Sequence, residues 1–288
     1  MPIPLNKNDM SQASRNKAAT IAKSLERMGF QPSHGAELRA TFVTKNAAML
    51  REVDRAILVR DRRESVLITG ESGTGKELLA KIVGTVPYVD SNGQIDIKFL
   101  SINCAGISDT LFESELFGHV KGAYTGATRD RAGYLVAAKQ GCVFLDEVGE
   151  LPLNQQAKLL RAIQNRRITP VGADEELEIS CRFIFATNRN LKREVAAGRF
   201  REDLYYRIAQ IIIHTIPLRN RIEDVLPITE RILFNNNWTP WGKLDSDPEM
   251  PPAWTYSRGN VRQLENVLLM RELGEEWIDI EQSFADED

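Results

Sequence analysis

Residues 65–77 read Ser65-Val-Leu-Ile-Thr-Gly70-Glu-Ser-Gly-Thr-Gly-Lys76-Glu77, and the order of residue types in them decides the fold. Residues 65–69 are short, β-branched and apolar, the pattern of a strand buried on both faces of a parallel sheet. Glycines at 70, 73 and 75 follow, where backbone N–H groups can turn inward with no Cβ in the way. From Lys76 to Val83 the apolar spacing becomes helical. A strand, a glycine loop and a helix opening on lysine supply what nucleotide phosphates need: amide donors, the positive end of a helix, and an ammonium that reaches the outer phosphates. Gly70, Glu71, Ser72, Gly73, Thr74, Gly75, Lys76 and Glu77 are therefore the candidate ATP-binding residues. The plainer alternative, a glycine turn with no ligand, leaves Lys76 unexplained.

The position after the lysine is usually Ser or Thr, which helps hold Mg2+, and here it is Glu77. Metal handling is thus expected elsewhere. Residues 142–145 (Cys-Val-Phe-Leu) run into Asp146 and Glu147, and an apolar strand ending in paired carboxylates places them at the carboxyl edge of the sheet, beside the phosphate loop. Asp146 is expected to orient Mg2+, partly through water and with Glu147 close by. Glu147 is expected to serve as base for an attacking water.

Further buried strands are predicted at 99–102, 183–186 and 210–215, separated by helical patterns such as 155–165. Alternating strands and helices imply an α/β fold with a parallel sheet covered on both faces. Before the first strand, Met49, Leu50, Val53, Ile57 and Leu58 are predicted to form one apolar face of a helix. The spacing also predicts a short helix over 18–28. After Pro217 the texture turns helical, with signals at 222–234 and 261–272 around a Trp/Pro-rich stretch. The expected organisation is an N-terminal extension (1–41) with that one helix, an α/β core (42–217), a small helical domain (218–275) and an acidic tail (276–288).

The totals narrow the function classes. At 288 residues with 42% hydrophobic and 27% charged residues, the chain has the composition of a folded globular protein with one large domain and a small one. A net charge of −3 gives no overall electrostatic footprint for nucleic acid. No membrane span or secretory leader is expected. Cys104, Cys142 and Cys181 are odd in number and set among apolar residues, which fits buried reduced thiols in a cytoplasmic protein. His34, His119 and His214 lack metal-ligand spacing.

Four stretches together resemble one family. The loop 70–77 with Glu in its last place, Glu113-Ser-Glu-Leu-Phe-Gly-His119 leading into Gly122-Ala-Tyr-Thr-Gly-Ala127, the acidic strand 142–152, and Gly259-Asn-Val-Arg-Gln-Leu-Glu265 are similar to the AAA+ ATPase domain of bacterial enhancer-dependent activators. Those activators act on the sigma-54 form of RNA polymerase. The match covers roughly residues 42–272. It implies an AAA+ P-loop NTPase core with a helical lid, ATP and Mg2+ as cofactors, and a partner loop of Gly122, Ala123, Tyr124, Thr125, Gly126 and Ala127 with Tyr124 where the family has Phe. It implies Asn103 as a switch that holds Glu147 back until the γ-phosphate is sensed, and Asn188 as a polar sensor. It implies Arg201 and Arg207 as arginine fingers donated to a neighbour, and Arg262 as a second sensor in the lid.

Taken alone, Arg201 and Arg207 read as a solvated charged face, Asn103 and Asn188 as strand-end caps, and Arg262 as a surface helix residue. Two glycines around Tyr124 suggest a bendable tip that projects the ring outward as a partner anchor. The alternative is a buried tyrosine in an ordinary turn. Fingers acting in trans imply a ring, a hexamer as in the family, whose ATP hydrolysis moves residues 122–127 against sigma-54 polymerase. No helix-turn-helix is evident, and the acidic residues past 274 carry the wrong charge for reading DNA. Two other classes compete: a nucleotide-gated interaction module without promoter activation, and a P-loop kinase or other AAA+ remodeller. A kinase should lack the lid sensor and trans arginines, and a chaperone should lack the 122–127 motif.

Overall fold

In the computed structural model, which describes residues 39–89, 93–106, 108–243 and 251–274, the strand ahead of the glycine loop is β1 (Val66–Thr69). It lies within a five-stranded sheet with β2 (Phe99–Asn103), β3 (Cys142–Asp146), β4 (Arg182–Thr187) and β5 (Ile211–His214). The strand order is β5-β1-β4-β3-β2 and every neighbouring pair is parallel. β4 enters between β1 and β3, so the carboxyl ends of these three strands lie side by side. The predicted helix at 18–28, the acidic residues 276–288 and part of the Trp/Pro-rich stretch lie outside the described residues.

Strand alternation explains why both faces of the sheet are covered. Val66, Ile68, Phe144, Ile184, Ala186 and Ile213 point to one apolar cluster, joined by Met49, Val53, Leu79 and Val83 from α1 (Ala47–Leu58) and α2 (Lys76–Gly84). Leu67, Val143, Leu145, Phe183 and Phe185 point to the other. There they meet residues of α3 (Asp109–Phe117), the short α4 (Tyr134–Ala137), α5 (Leu153–Asn165), α6 (Leu191–Ala196) and α7 (Glu202–Ile208). For the three central strands this two-sided burial is what a continuous apolar run requires; β2 and β5, expected to be buried, are edge strands with Ser101 and His214 exposed.

Asn46 starts α1 by accepting hydrogen bonds from the N–H groups of Ala48 and Met49. The buried face of that helix is Met49, Val53 and Ala56, which corrects the predicted stripe: Leu58 is 79% exposed. At 3.6 residues per turn, Leu58 lies two and a half turns beyond Met49 and so on the opposite face.

The chain then forms a smaller helical unit of α8 (Val225–Asn236) and α9 (Asn260–Leu273) around Leu218, Val225, Leu233, Tyr256, Leu264 and Leu268. Arg271 is buried. It donates to the carbonyls of Thr239 and Pro240 at 2.9 and 3.2 Å and lies over the Trp241 ring, fastening the Trp-containing stretch to α9. Among the described residues, no helix is long and apolar enough to cross a membrane.

Candidate functional site

The glycine loop closes over the carboxyl end of β1 and leads into α2 at Lys76. Two of its glycines are forced by their surroundings. Gly73 has φ +74°, and a Cβ there would meet the Gly259 carbonyl at 2.2 Å. Gly75 has φ +99°, and a Cβ would press the Phe42 ring at 2.8 Å. Thr74 is buried and braces the loop, donating to the Glu71 carbonyl at 2.7 Å and meeting the Thr215 hydroxyl at 2.6 Å. Lys76 is buried too; its Nζ donates to the carbonyls of Gly70 and Glu71 at 3.0 and 3.2 Å. Glu77 pairs with Lys81 at 2.8 Å.

Strand order brings the acidic pair to this loop. Glu147 lies with Oε1 3.5 Å from Lys76 Nζ, while its Oε2 accepts the backbone N–H of Asn188 at 3.0 Å. It holds φ +51°, a conformation non-glycine residues rarely take, so the chain turns sharply at this carboxylate. Asp146 accepts the Glu147 N–H at 2.9 Å. Burial, and then the neighbouring charge of Glu147, raises its pKa above the usual 3.8, while that hydrogen bond and Lys76 oppose the rise.

Asn103 pairs in register with Asp146, yet its carboxamide oxygen accepts the Ala105 N–H at 2.8 Å. It stands beside the acidic pair without bonding to Glu147. Asn188 meets Glu147 through its backbone, and its side chain is exposed.

A cavity of about 400 Å³ separates this edge from the helical unit. Phosphate-loop residues, Asp146 and Glu147 form its polar end, and Val43, Ile228, Ile232 and Val261 give it an apolar wall suited to a flat base. Sequence reasoning missed that wall, because Ile228 and Ile232 four apart on α8 carry the signal of an ordinary core stripe. A larger cavity of about 760 Å³ lies at the opposite edge of the sheet. Two of its arginines serve the scaffold: Arg182 donates to the carbonyls of Val59 and Arg60, and Arg60 to that of Thr85.

The helical unit grips the loop directly. Arg219 forks onto Glu71 at 2.7 and 2.5 Å, which lowers the Glu71 pKa. Asn260, buried at φ +54°, accepts the Leu218 N–H at 2.7 Å and donates to Glu71 Oε2 at 3.2 Å and the Ser72 carbonyl at 3.0 Å. Val261 N–H meets the Gly73 carbonyl at 3.1 Å, and Arg262 reaches Ser72 Oγ at 3.1 Å while lining the cavity. Arg221, also buried, donates to the Thr74 and Ile216 carbonyls and pairs with Asp224 at 3.3 Å. Asp224 in turn accepts the Thr44 hydroxyl and the N–H groups of Lys45 and Asn46. Arg219, Arg221 and Asp224 carried no motif signal, and Asn260, inside the 259–265 motif, was given no role there.

Arg201 and Arg207 do not line the cavity. Arg201 forks onto Asp203 at 3.0 and 2.7 Å on its own chain, which raises the Arg201 pKa. Arg207, half-buried on α7, makes no hydrogen bond or ion pair to a described residue.

The 122–127 loop stands on a two-strand stem, Gly118–His119 against Arg131–Ala132. Gly122 N–H bonds the Ala127 carbonyl at 2.9 Å, and Ala127 N–H the Tyr124 carbonyl at 3.0 Å. The outward-pointing ring expected of Tyr124 is not found. The ring is half-buried and packs edge-on against His119 with centroids 5.1 Å apart. The physical reason is its hydroxyl, which finds Ser114 Oγ at 3.3 Å and so draws the ring back to α3.

Compared with known proteins, residues 42–214 match the model of the family described as Sigma-54 interaction domain. The chain is 38% identical over 268 residues to the transcriptional regulatory protein GlrR of Escherichia coli (strain K12), covering 92% of this chain and 57% of that protein. It is 43% identical over 206 residues to the response regulator protein PilR of Pseudomonas aeruginosa (70% of this chain, 45% of PilR). Identity to the regulatory protein LuxO of Vibrio parahaemolyticus is 45% over 212 residues (72% and 45%). The chain thus spans about half the length of the relatives it matches. Among solved structures, NtrX from Brucella abortus in complex with ATP superposes with TM-score 0.65 at 25% identity, covering 92% of this chain and 58% of that one. Hsp104 bound to ATPγS and casein shares the fold at TM-score 0.56 and 20% identity, covering 92% and 48%.

Proposed function

Because the chain belongs to the Sigma-54 interaction domain family, we propose that it is an ATP-hydrolysing AAA+ activator that remodels the sigma-54 RNA polymerase closed complex through residues 122–127. The observation that carries this is the junction of the phosphate loop with the Asp146–Glu147 edge, where Lys76, Glu147 and the end of β4 meet within hydrogen-bond or ion-pair distance. Lys76 and the loop amides bind and orient the phosphates, and the apolar wall of Ile228 and Ile232 takes the base. Glu147, held from two sides, accepts a proton from the attacking water.

Asp146 and Glu147 fit Mg2+ in charge: two adjacent carboxylates, one raised in pKa by burial and by the other, gain from a dication. Held there, Mg2+ would supply positive charge to offset that of the phosphate oxygens. Arg201 and Arg207 act on a neighbour's nucleotide, since neither lines the cavity of its own chain. A guanidinium suits this task by donating paired hydrogen bonds to a transferring phosphoryl group. The working form is then a ring, proposed as a hexamer, and with a polymerase partner it acts in the cytoplasm. Asn103, one strand from Asp146, and Asn188, next to Glu147, are proposed to relay the state of the γ-phosphate.

The test is binding to purified sigma-54 in the presence of an ATP transition-state analogue, comparing wild type with Tyr124→Ala. Wild type is expected to bind only with the analogue, and Tyr124→Ala to bind at least roughly tenfold more weakly, the loss typical of a truncated aromatic anchor. Wild type that ignores sigma-54 in every nucleotide state overturns the activator role and leaves the nucleotide-gated module. Equal binding by Tyr124→Ala removes Tyr124 as the anchor.

A further inference from the structure

The partner loop is held down by a side chain that a phenylalanine at the same place could not replace. Ser114, on the last turns of α3, is buried and lies 2.7 Å from His119 Nδ1 and 3.3 Å from the Tyr124 hydroxyl. His119 is buried in the stem strand, and its ring meets Tyr124 edge to face. The stem itself is well tied: Val120 N–H bonds the Val171 carbonyl, and Val171 N–H the Gly118 carbonyl. The tip is tied less: Gly122 and Gly126 have φ +84° and +102° in open space, and among the described residues its backbone N–H groups bond within the loop or, from Ala123, to the Val120 carbonyl at its base, with Ala123 resting against Gly172. The phenol is therefore the tip's polar tether to α3.

We propose that Ser114, oriented by His119, is a positioning residue that latches residues 122–127 in a lowered position through the Tyr124 hydroxyl. Loop release then means breaking one hydroxyl–hydroxyl contact and one ring contact. The proton arrangement closes in either direction: Ser114 donates to His119 and accepts from Tyr124, or accepts from a protonated Nδ1 and donates to Tyr124. Tyr124 serves two purposes here, as anchor when the loop is raised and as bolt when it is lowered. The second purpose rests on the proposed function, because the latch regulates the contact with sigma-54.

Amide hydrogen exchange on the full chain without nucleotide reads the latch directly, and the reporters are the Gly122 and Ala127 N–H groups. Tyr124→Phe keeps the ring and removes the bolt. It is expected to speed exchange at those amides roughly fivefold, the factor matching loss of one ordinary hydrogen bond. Ser114→Ala should do the same, and the double variant should exceed neither single variant. If Tyr124→Phe exchanges like wild type, the hydroxyl is no latch. If the two effects multiply, Ser114 is not its seat, and a merely structural Ser114 would show itself this way, through a lower Tm with Tyr124→Phe still fully effective. In the sigma-54 assay, Tyr124→Phe is expected to bind detectably when no nucleotide is present, where wild type does not. Faster exchange together with no nucleotide-dependent binding by wild type would uphold the latch and overturn the activator role, so the two failures separate.

Discussion

The carboxyl group of Asp146 is half-buried at the end of β3, with Glu147 beside it and Lys76 offsetting part of the cost. Its folded-state pKa lies above the usual 3.8, so the folded chain holds this proton more tightly than the unfolded chain. Stability from the group is fully present below the unfolded value and is lost as pH rises through the folded one. At neutral pH the charge is thus a cost to the fold. Asp146→Asn removes the charge and keeps the shape. Thermal unfolding without nucleotide should show a Tm higher by about 2 °C near neutral pH, with the gain shrinking as pH falls toward 4. Phosphate release should drop by roughly 100-fold, as when a group that orients metal-bound water is lost. A lower Tm would mean that favourable contacts, not a buried cost, surround this carboxylate. Lys76, Asp146 and Glu147 were legible in the sequence because each sits in a short contiguous pattern whose chemistry is local. Arg219 was not, nor was the contact that Asn260 makes from inside the 259–265 motif, since their partner Glu71 lies 148 and 189 residues away. No spacing rule reaches that far.

At the scale of elements, the phosphate loop and the start of α9 behave as one joint. Val261 N–H bonds the Gly73 carbonyl, Asn260 bonds the Ser72 carbonyl, and Gly259 packs where a Gly73 side chain would go. Were the loop to change shape on binding phosphate, α9 would be displaced through these backbone contacts as well as through Arg262. Gly73→Ala adds a methyl 2.2 Å from the Gly259 carbonyl at a left-handed φ, which costs about 1 kcal/mol in backbone strain alone. Titration with a fluorescent ATP analogue should show affinity at least roughly tenfold weaker, a loss of about 1.4 kcal/mol. Arg219→Ala, at an exposed pair, should weaken it only about two- to fivefold, within the range of surface ion pairs. Unchanged affinity for Gly73→Ala would show that the joint does not shape the site. Strand positions were legible because two-sided burial writes continuous apolar runs. The Trp-containing stretch was not: it is fastened by Arg271, a charge that sequence patterns assign to a surface. The retracted Tyr124 escaped for a related reason, because glycines announce that a loop can bend without saying toward what.

At the scale of the whole molecule, Lys76, Asp146 and Glu147 share a single cleft, and neither proposed finger lines it. Arg207 lies outside that cleft with no ion pair to a described residue, and Arg201 is tied to Asp203. If Arg207 completes a neighbour's site, two inactive variants should repair each other. Lys76→Ala has a dead phosphate loop and an intact finger; Arg207→Ala has an intact loop and no finger. Each alone should turn over ATP at least roughly 1000-fold more slowly than wild type, the loss expected for an arginine finger. In an equimolar mixture, a site works wherever an Arg207→Ala loop faces a Lys76→Ala finger, so with random, independent assembly about one quarter of head-to-tail interfaces recover. Steady-state phosphate release from the mixture, at a total concentration where wild-type turnover no longer rises with concentration, reads this out. Recovery near one quarter requires a finger given in trans. A mixture as inactive as its parents would mean that Arg207 acts on its own chain's nucleotide, and an active Arg207→Ala parent would mean that it is no finger.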